Sequence, residues 1–198
     1  MNQKENCDCF EFREKLNKLR NDKEFCDVTI QIGNTTFLAD RNVLKAEMKF
    51  FARMFTGDTE ENKSGIVNFE PEIVSPDVFD EILNFVYTSQ LELTPQKVSK
   101  ICVAADFFCY EKLFEKTQKY LIANLQIENV LDCLNLARKI WLSSLEENCL
   151  KFICDNFLFE IIKFEFIPYW SFEDLLKVLE NLKKNQNLKK CSRSLLSG

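Results

Sequence analysis

The stretch from Phe25 to Gly57, FCDVTIQIGNTTFLADRNVLKAEMKFFARMFTG, changes its period halfway along. Val28, Ile30 and Ile32 alternate with Thr29 and Gln31, the spacing of a half-buried strand. Gly33-Asn34 is a turn signal, and Thr35 to Ala39 reads as the returning strand of a hairpin. From Asn42 onward, Val43, Leu44, Phe50, Phe51, Met54 and Phe55 fall at helical steps. The pattern leaves an interruption near Glu47 open, and Gly57 can end the helix.

Upstream, Phe12, Leu16 and Leu19 follow at steps of four and three, which marks a short amphipathic helix over residues 10–20. Glu11, Arg13, Lys15 and Lys18 form its polar face. One narrow apolar stripe cannot hold a short helix in water, so it must pack on its own domain or on another chain.

Downstream, Asp58 to Gly65 reads as a polar loop and Ile66 to Glu70 as a further strand. Ser75, Pro76 and Asp77 supply a cap, a first-turn proline and an acid suited to the helix dipole, ahead of Val78, Phe79, Ile82, Leu83 and Val86 on one face. Thr94-Pro95 repeats the device before QKVSKICVAADFFCY, and EKLFEKTQKYLIANL gives another helix. Past Leu125 the pattern is all helical: Ile127, Val130, Leu131, Leu134 and Ala137 group together, and Ser143 or Ser144 opens the next helix with a capping box. FLFEIIKFEFIPYW and SFEDLLKVLENLK continue it. Helices clustered on one small sheet make the fold α+β.

The 198 residues include 19 Phe and only four Gly and four Pro, which suits a packed, largely helical chain. A net charge of −5 gives no general drive toward nucleic acid. The exception is the basic tail with Lys183, Lys184, Lys189, Lys190 and Arg193, where nuclear import or binding to an anionic surface is the functional alternative to a solvated, frayed end. The longest apolar runs are broken by charges, so no membrane partner is expected and a soluble, cytoplasmic protein is, with nuclear entry left open.

The nine Cys sit mostly among apolar residues and read as small reduced hydrophobes. No His exists to build a mixed zinc site or a Ser-His or Cys-His pair, and neither GxGxxG nor GxxxxGK occurs. The expectation is no enzyme, no metal and no cofactor.

The order of segments resembles a BTB (POZ) domain. CDVTIQIG…TTFLADRNVLKAEMKFFARMFTG resembles its start, and VSPDVFDEILNFVYTSQL and VSKICVAADFFCYEKLFEKTQKYLIANL follow in the family's order and spacing. IENVLDCLNLARKIW resembles the opening of the BACK region of BTB–BACK–Kelch (Kelch-like) proteins. The resemblance runs from Phe10 to Lys183. It implies a BTB/POZ domain over 10–124, a partial BACK-like helical region over 125–183 and a basic tail over 184–198.

The family implies homodimerisation through the first helix and the strand after it, here Phe12, Leu16, Leu19, Cys26, Asp27 and Val28. It also implies binding of a cullin scaffold, with Phe55, Thr59, Glu61, Tyr87 and Tyr110 near that face and the helix around Asn129 to Ile140 extending it. The function implied is a non-catalytic, homodimeric substrate adaptor of a cullin–RING ubiquitin ligase, with an unknown substrate protein as third partner. The alternative is a BTB dimerisation scaffold without ligase activity, a corepressor-type partner or a competitor of longer BTB proteins.

Three departures bear on the choice. The family usually has Ala-His-Arg or Ala-His-Lys where this chain has Ala39-Asp40-Arg41, so a buried Asp40 would need a charged or well-bonded setting. Cullin-binding members carry a hydrophobic-X-Glu triplet where this chain reads Thr59-Glu60-Glu61. A lost apolar anchor removes about 1.5–3 kcal/mol of burial, a factor of about ten or more in affinity. Finally, four Gly cannot supply the blades of a Kelch propeller. A fragment, a substrate site in the BACK region, or action without a substrate module all remain open.

Overall fold

The structure is a computed structural model that describes residues 3–23 and 25–156. The helices read between 157 and 183 and the tail at 184–198 lie outside the described residues. The chain divides into two compact units, Met1–Tyr120 and Leu121–Gly198.

In the first unit the alternating stretch becomes β1 (Val28–Ile32), with Val28, Ile30 and Ile32 buried. A loop of Gly33 and Asn34 returns it antiparallel as β2 (Thr35–Ala39), with Ile32 opposite Thr35 and Val28 opposite Ala39. Gly33 has φ +55°, which suits a residue without a Cβ. β3 (Ile66–Phe69) lies parallel on the other side of β1, giving the order β2-β1-β3.

The helical run after β2 is two helices. α2 (Arg41–Glu47) stops where Met48 turns extended, and α3 (Lys49–Met54) starts at once. The open interruption near Glu47 is therefore a real break, and both Phe50 and Phe51 after it join one aromatic cluster around Phe69 and Phe108. Phe51 stacks on Phe55 and Phe108 with centroids 5.7 and 5.5 Å apart. Phe50 meets Phe69, Phe107 and Phe108.

The expected polar loop is instead α4 (Glu60–Ser64). Thr59 caps it by accepting from the Asn62 N–H, and Gly65 ends it at φ +69°. Both ends thus carry standard helix signals within a segment too short and polar to show periodicity.

α5 (Pro76–Thr88) begins as expected, with Pro76 in its first turn. Ser75 holds the cap position without a cap bond from its side chain; it bonds Asp77 instead, and that bond foremost holds the Asp77 carboxyl below its ordinary pKa. α6 (Val98–Phe107) starts three residues after Thr94-Pro95, because the carbonyl of Thr94 first closes a turn with Lys97 and then accepts from Val98. α7 (Glu111–Ala123) follows. α1 (Gln3–Asn21) is longer than the expected helix and packs on α5.

In the second unit, α8 (Val130–Lys139) and α9 (Ser143–Asn156) pack on each other through Val130, Cys133, Leu134, Leu145, Cys149 and Ile153. Ile127 does not join this face: it precedes α8 in a turn and is 58% exposed. Burial raises the Cys149 thiol to about 12, as befits a packing residue. Among the described residues no helix is long and apolar enough to cross a membrane.

Candidate functional site

α1 carries two faces. Arg13, Leu16 and Arg20, three and four residues apart, turn toward the unit. Arg13 donates to the Val86 carbonyl at 2.8 Å and to Glu47 Oε1 at 3.1 Å. Glu47 also accepts from the Tyr110 hydroxyl at 3.0 Å. Burial first, then the Glu47 carboxylate, pushes the Tyr110 hydroxyl well above its ordinary pKa. Arg20 donates to Asn84 Oδ1 at 2.9 Å and lies over the Tyr87 ring. Arg13 therefore does not belong to the polar face as expected; it is an inward clamp.

The flank of the helix next to these residues is uncovered. Phe12 is 64% exposed and Leu19 is 38% exposed, and Phe25, just before β1, is 62% exposed. Beside them a cavity of about 170 Å3 is lined by Leu16, Leu19, Arg20, Phe25, Cys26 and Tyr87, together with Asp40. Of the residues assigned to a dimer face, Leu16, Leu19 and Cys26 line this cavity, and Phe12 is exposed further along the same helix. Val28 is instead a core residue, 2% exposed. Cys26 donates to the Arg20 carbonyl at 3.6 Å, and burial pushes its thiol up, away from the reactive thiolate.

Asp27 belongs to a second corner. It accepts from the Arg41 backbone N–H at 2.7 Å, and its other oxygen lies 3.8 Å from Arg41 Nε. Arg41 Nη1 donates to Asn62 O and Oδ1 at 2.9 and 2.8 Å, and its guanidinium lies over Phe55. Arg41 thus ties the start of β1 to α4. Thr59 is held in the same corner: its hydroxyl donates to Met54 O at 2.8 Å and accepts from Asn62 N–H at 3.1 Å. Glu61 lies two residues on, in the first turn of α4, half-buried.

Asp40 needs no counter-ion. Its Oδ1 accepts from the Asn42 and Val43 N–H groups at 2.7 and 3.2 Å, capping α2, while its own N–H donates to the Tyr87 hydroxyl at 2.8 Å. Burial is the main cause that raises Tyr87 to about 12.

Within the first unit, the residues assigned to a cullin face do not form one exposed patch. Phe55, Thr59 and Glu61 share the α3–α4 corner, with Phe55 only 3% exposed. Tyr87 and Tyr110 are each 1% exposed, so neither presents a side chain to a partner; Tyr87 lies on the α1 side. Asn129, in the second unit, bonds Gln126 N–H and Asn124 O and closes the turn before α8. Among the described residues no three His, Cys, Asp or Glu side chains converge as a metal site.

Sequence reasoning missed Arg13, Glu47 and Asn62 as organisers of these corners. Arg13 and Arg20 share the three-four spacing of Leu16, but charged residues at that spacing read as solvent-facing. Phe25 was legible as an apolar residue just outside a strand.

Residues 16–125 match the family described as the BTB/POZ domain. The chain is 31% identical over 121 residues to the influenza virus NS1A-binding protein homolog of Xenopus laevis, covering 61% of this chain and 19% of that protein. It is 30% identical over 142 residues to Kelch-like protein 40 of Xenopus laevis, covering 72% of this chain and 23% of that protein. It therefore spans about a fifth of the length of the curated relatives it matches. Among solved structures, the BTB domain of zebrafish PATZ1 is similar with a TM-score of 0.50 and 28% identity, over 57% of this chain and 90% of that one.

Proposed function

Because this chain belongs to the BTB/POZ family, whose domains are non-catalytic protein-interaction modules, we propose that it is a homodimeric adaptor that brings a target protein to a cullin–RING ubiquitin ligase. The observation that carries the dimer is the division of α1. Arg13, Leu16 and Arg20 fasten the helix to its own unit, and Phe12, Leu19 and Phe25 are left uncovered as a preformed apolar face. Burying one such side chain is worth about 1.5–3 kcal/mol, ample to drive self-association when several are covered together. The adaptor acts by proximity: it raises the local concentration of a target beside the ligase.

The α3–α4 corner supports the cullin half of the proposal, because the Arg41–Asn62 bonds present Glu61 on a fixed short helix. The second reading, a dimerisation scaffold without ligase activity, rests on Thr59. Its hydroxyl is spent on Met54 and Asn62, where the resemblance calls for an apolar anchor.

Sedimentation equilibrium of the whole chain tests the dimer. A dimer that the double variant Phe12→Asp/Leu19→Asp converts to a folded monomer is expected. A wild-type monomer at tens of micromolar would sink this half of the proposal.

A further inference from the structure

Among the described residues β2 is an edge strand, paired on one side only. The hairpin register determines which backbone groups it leaves free. With Gly33 and Asn34 as the loop, Ile32 and Thr35 are the closing, hydrogen-bonded pair. Bonded and non-bonded pairs alternate along an antiparallel ladder. Thr36, opposite Gln31, and Leu38, opposite Thr29, therefore turn their N–H and C=O groups away from β1. Thr29 obeys the same alternation: its N–H donates away from β2, to Gly65 O at 2.8 Å.

In front of this free edge runs a groove of about 360 Å3 between β2, the end of α1 and α5. Its lining includes Arg20, Lys23, Phe37, Leu38, Asp80 and Leu83. Phe37 is held edge-on against Phe79 at 5.1 Å, so the apolar floor is preset. Neither Arg20 nor Lys23 forms an ion pair with another described residue. Asp80 is the single acid, and it already accepts from Asn84 Nδ2 at 3.2 Å.

We propose that this edge docks an extended, acidic segment of a partner protein, which adds to the sheet as a strand beside β2. An extended chain offers donors and acceptors at the repeat of Thr36 and Leu38; a helix, whose backbone groups are already bonded, does not. Its apolar side chains on one face would lie on the partly exposed Phe37, and its carboxylates would meet Arg20 and Lys23. The site lies apart from the α3–α4 corner, so this inference goes beyond the cullin reading and stands or falls without it.

The test is fluorescence anisotropy of the full chain with a labelled acetyl-Asp-Val-Thr-Val-Thr-Val-Asp-amide. Saturable binding below about 1 mM is expected. Two further peptides carry N-methyl groups on every second residue, one in each phase. One phase should bind at least about tenfold more weakly, because only alternate N–H groups of an added strand face the sheet. Lys23→Glu, an exposed change, should weaken the parent peptide by about tenfold while leaving the melting curve in place. No saturable binding, equal binding of both methylated phases and the parent, or no effect of Lys23→Glu would each overturn the proposal. An acidic helical peptide that binds equally well would do the same.

Discussion

Gly65 lies against both the Asp27 backbone and the Arg41 guanidinium, so replacing it with Ala is a sharp perturbation. Gly65 ends α4 at φ +69°, and a Cβ there would lie 2.9 Å from the Asp27 carbonyl oxygen and 3.3 Å from Arg41 Nη2. The left-handed backbone alone costs an alanine about 1–2 kcal/mol. The reduced freedom of the unfolded chain returns about 0.4–1 kcal/mol. The overlap with Asp27 is with backbone at the head of β1, where nothing flexible can yield, and overpacking of this kind costs about 1–3 kcal/mol. The net loss is about 2–3 kcal/mol, a fall in melting temperature of roughly 4–12 °C for a chain of this size. Gly33→Ala is the internal control. Gly33 has nearly the same backbone, φ +55°, but its Cβ would meet only the Pro71 ring carbon, at 3.1 Å. It should therefore lose about 1 kcal/mol, mostly backbone strain. Urea unfolding of both variants measures the difference directly. Equal losses would refute the idea that Gly65 is there to let β1 and Arg41 close on α4.

Asp40→Ala removes the acceptor for two N–H groups and should cost about 1 kcal/mol in urea unfolding, while Asp40→Asn should keep most of it. Tyr87 has its folded pKa raised from 10.0 to about 12, so its neutral form is the one the fold favours. Its contribution is complete below pH 10 and is lost as pH rises toward 12; Tyr87→Phe should flatten that alkaline limb of a stability-versus-pH profile. Thr59→Leu exchanges a cap for an apolar anchor: stability should fall by about 1 kcal/mol while affinity for a cullin N-terminal domain rises about tenfold, read by urea unfolding and calorimetry.

What could be read from the chain follows from how local each cause is. The alternation of Val28, Ile30 and Ile32 and the turn at Gly33-Asn34 decide their own structure, and the hairpin forms as written. α5 is similarly legible, because Pro76 and a dense apolar face act within one segment. α4 was not, since five residues leave no room for a period; its two end signals, Thr59 and Gly65, were the only trace. Thr94-Pro95 misled by three residues because a turn came before the helix. Asp40 read as a charge in search of a partner, although its place one residue before Arg41 already marked it as a cap.

The interaction surfaces were legible only as a list of residues. Phe12 and Leu19 are exposed and Leu16 is not, because Arg13 and Arg20 bind distant groups, the Val86 carbonyl and Asn84, that no spacing on α1 reveals. The same holds for Arg41 and Asn62, 21 residues apart. Tyr87 and Tyr110, grouped with Glu61 from the resemblance, are drawn inward by Asp40 and Glu47.

The most direct measurement is calorimetric titration of the whole chain into a cullin N-terminal domain, with Glu61→Ala as the paired variant. Submicromolar binding, weakened by the variant, is the expected result for an adaptor whose α4 is locked in place by Arg41. An absence of binding at tens of micromolar would contradict the adaptor function and leave the dimerisation scaffold in its place.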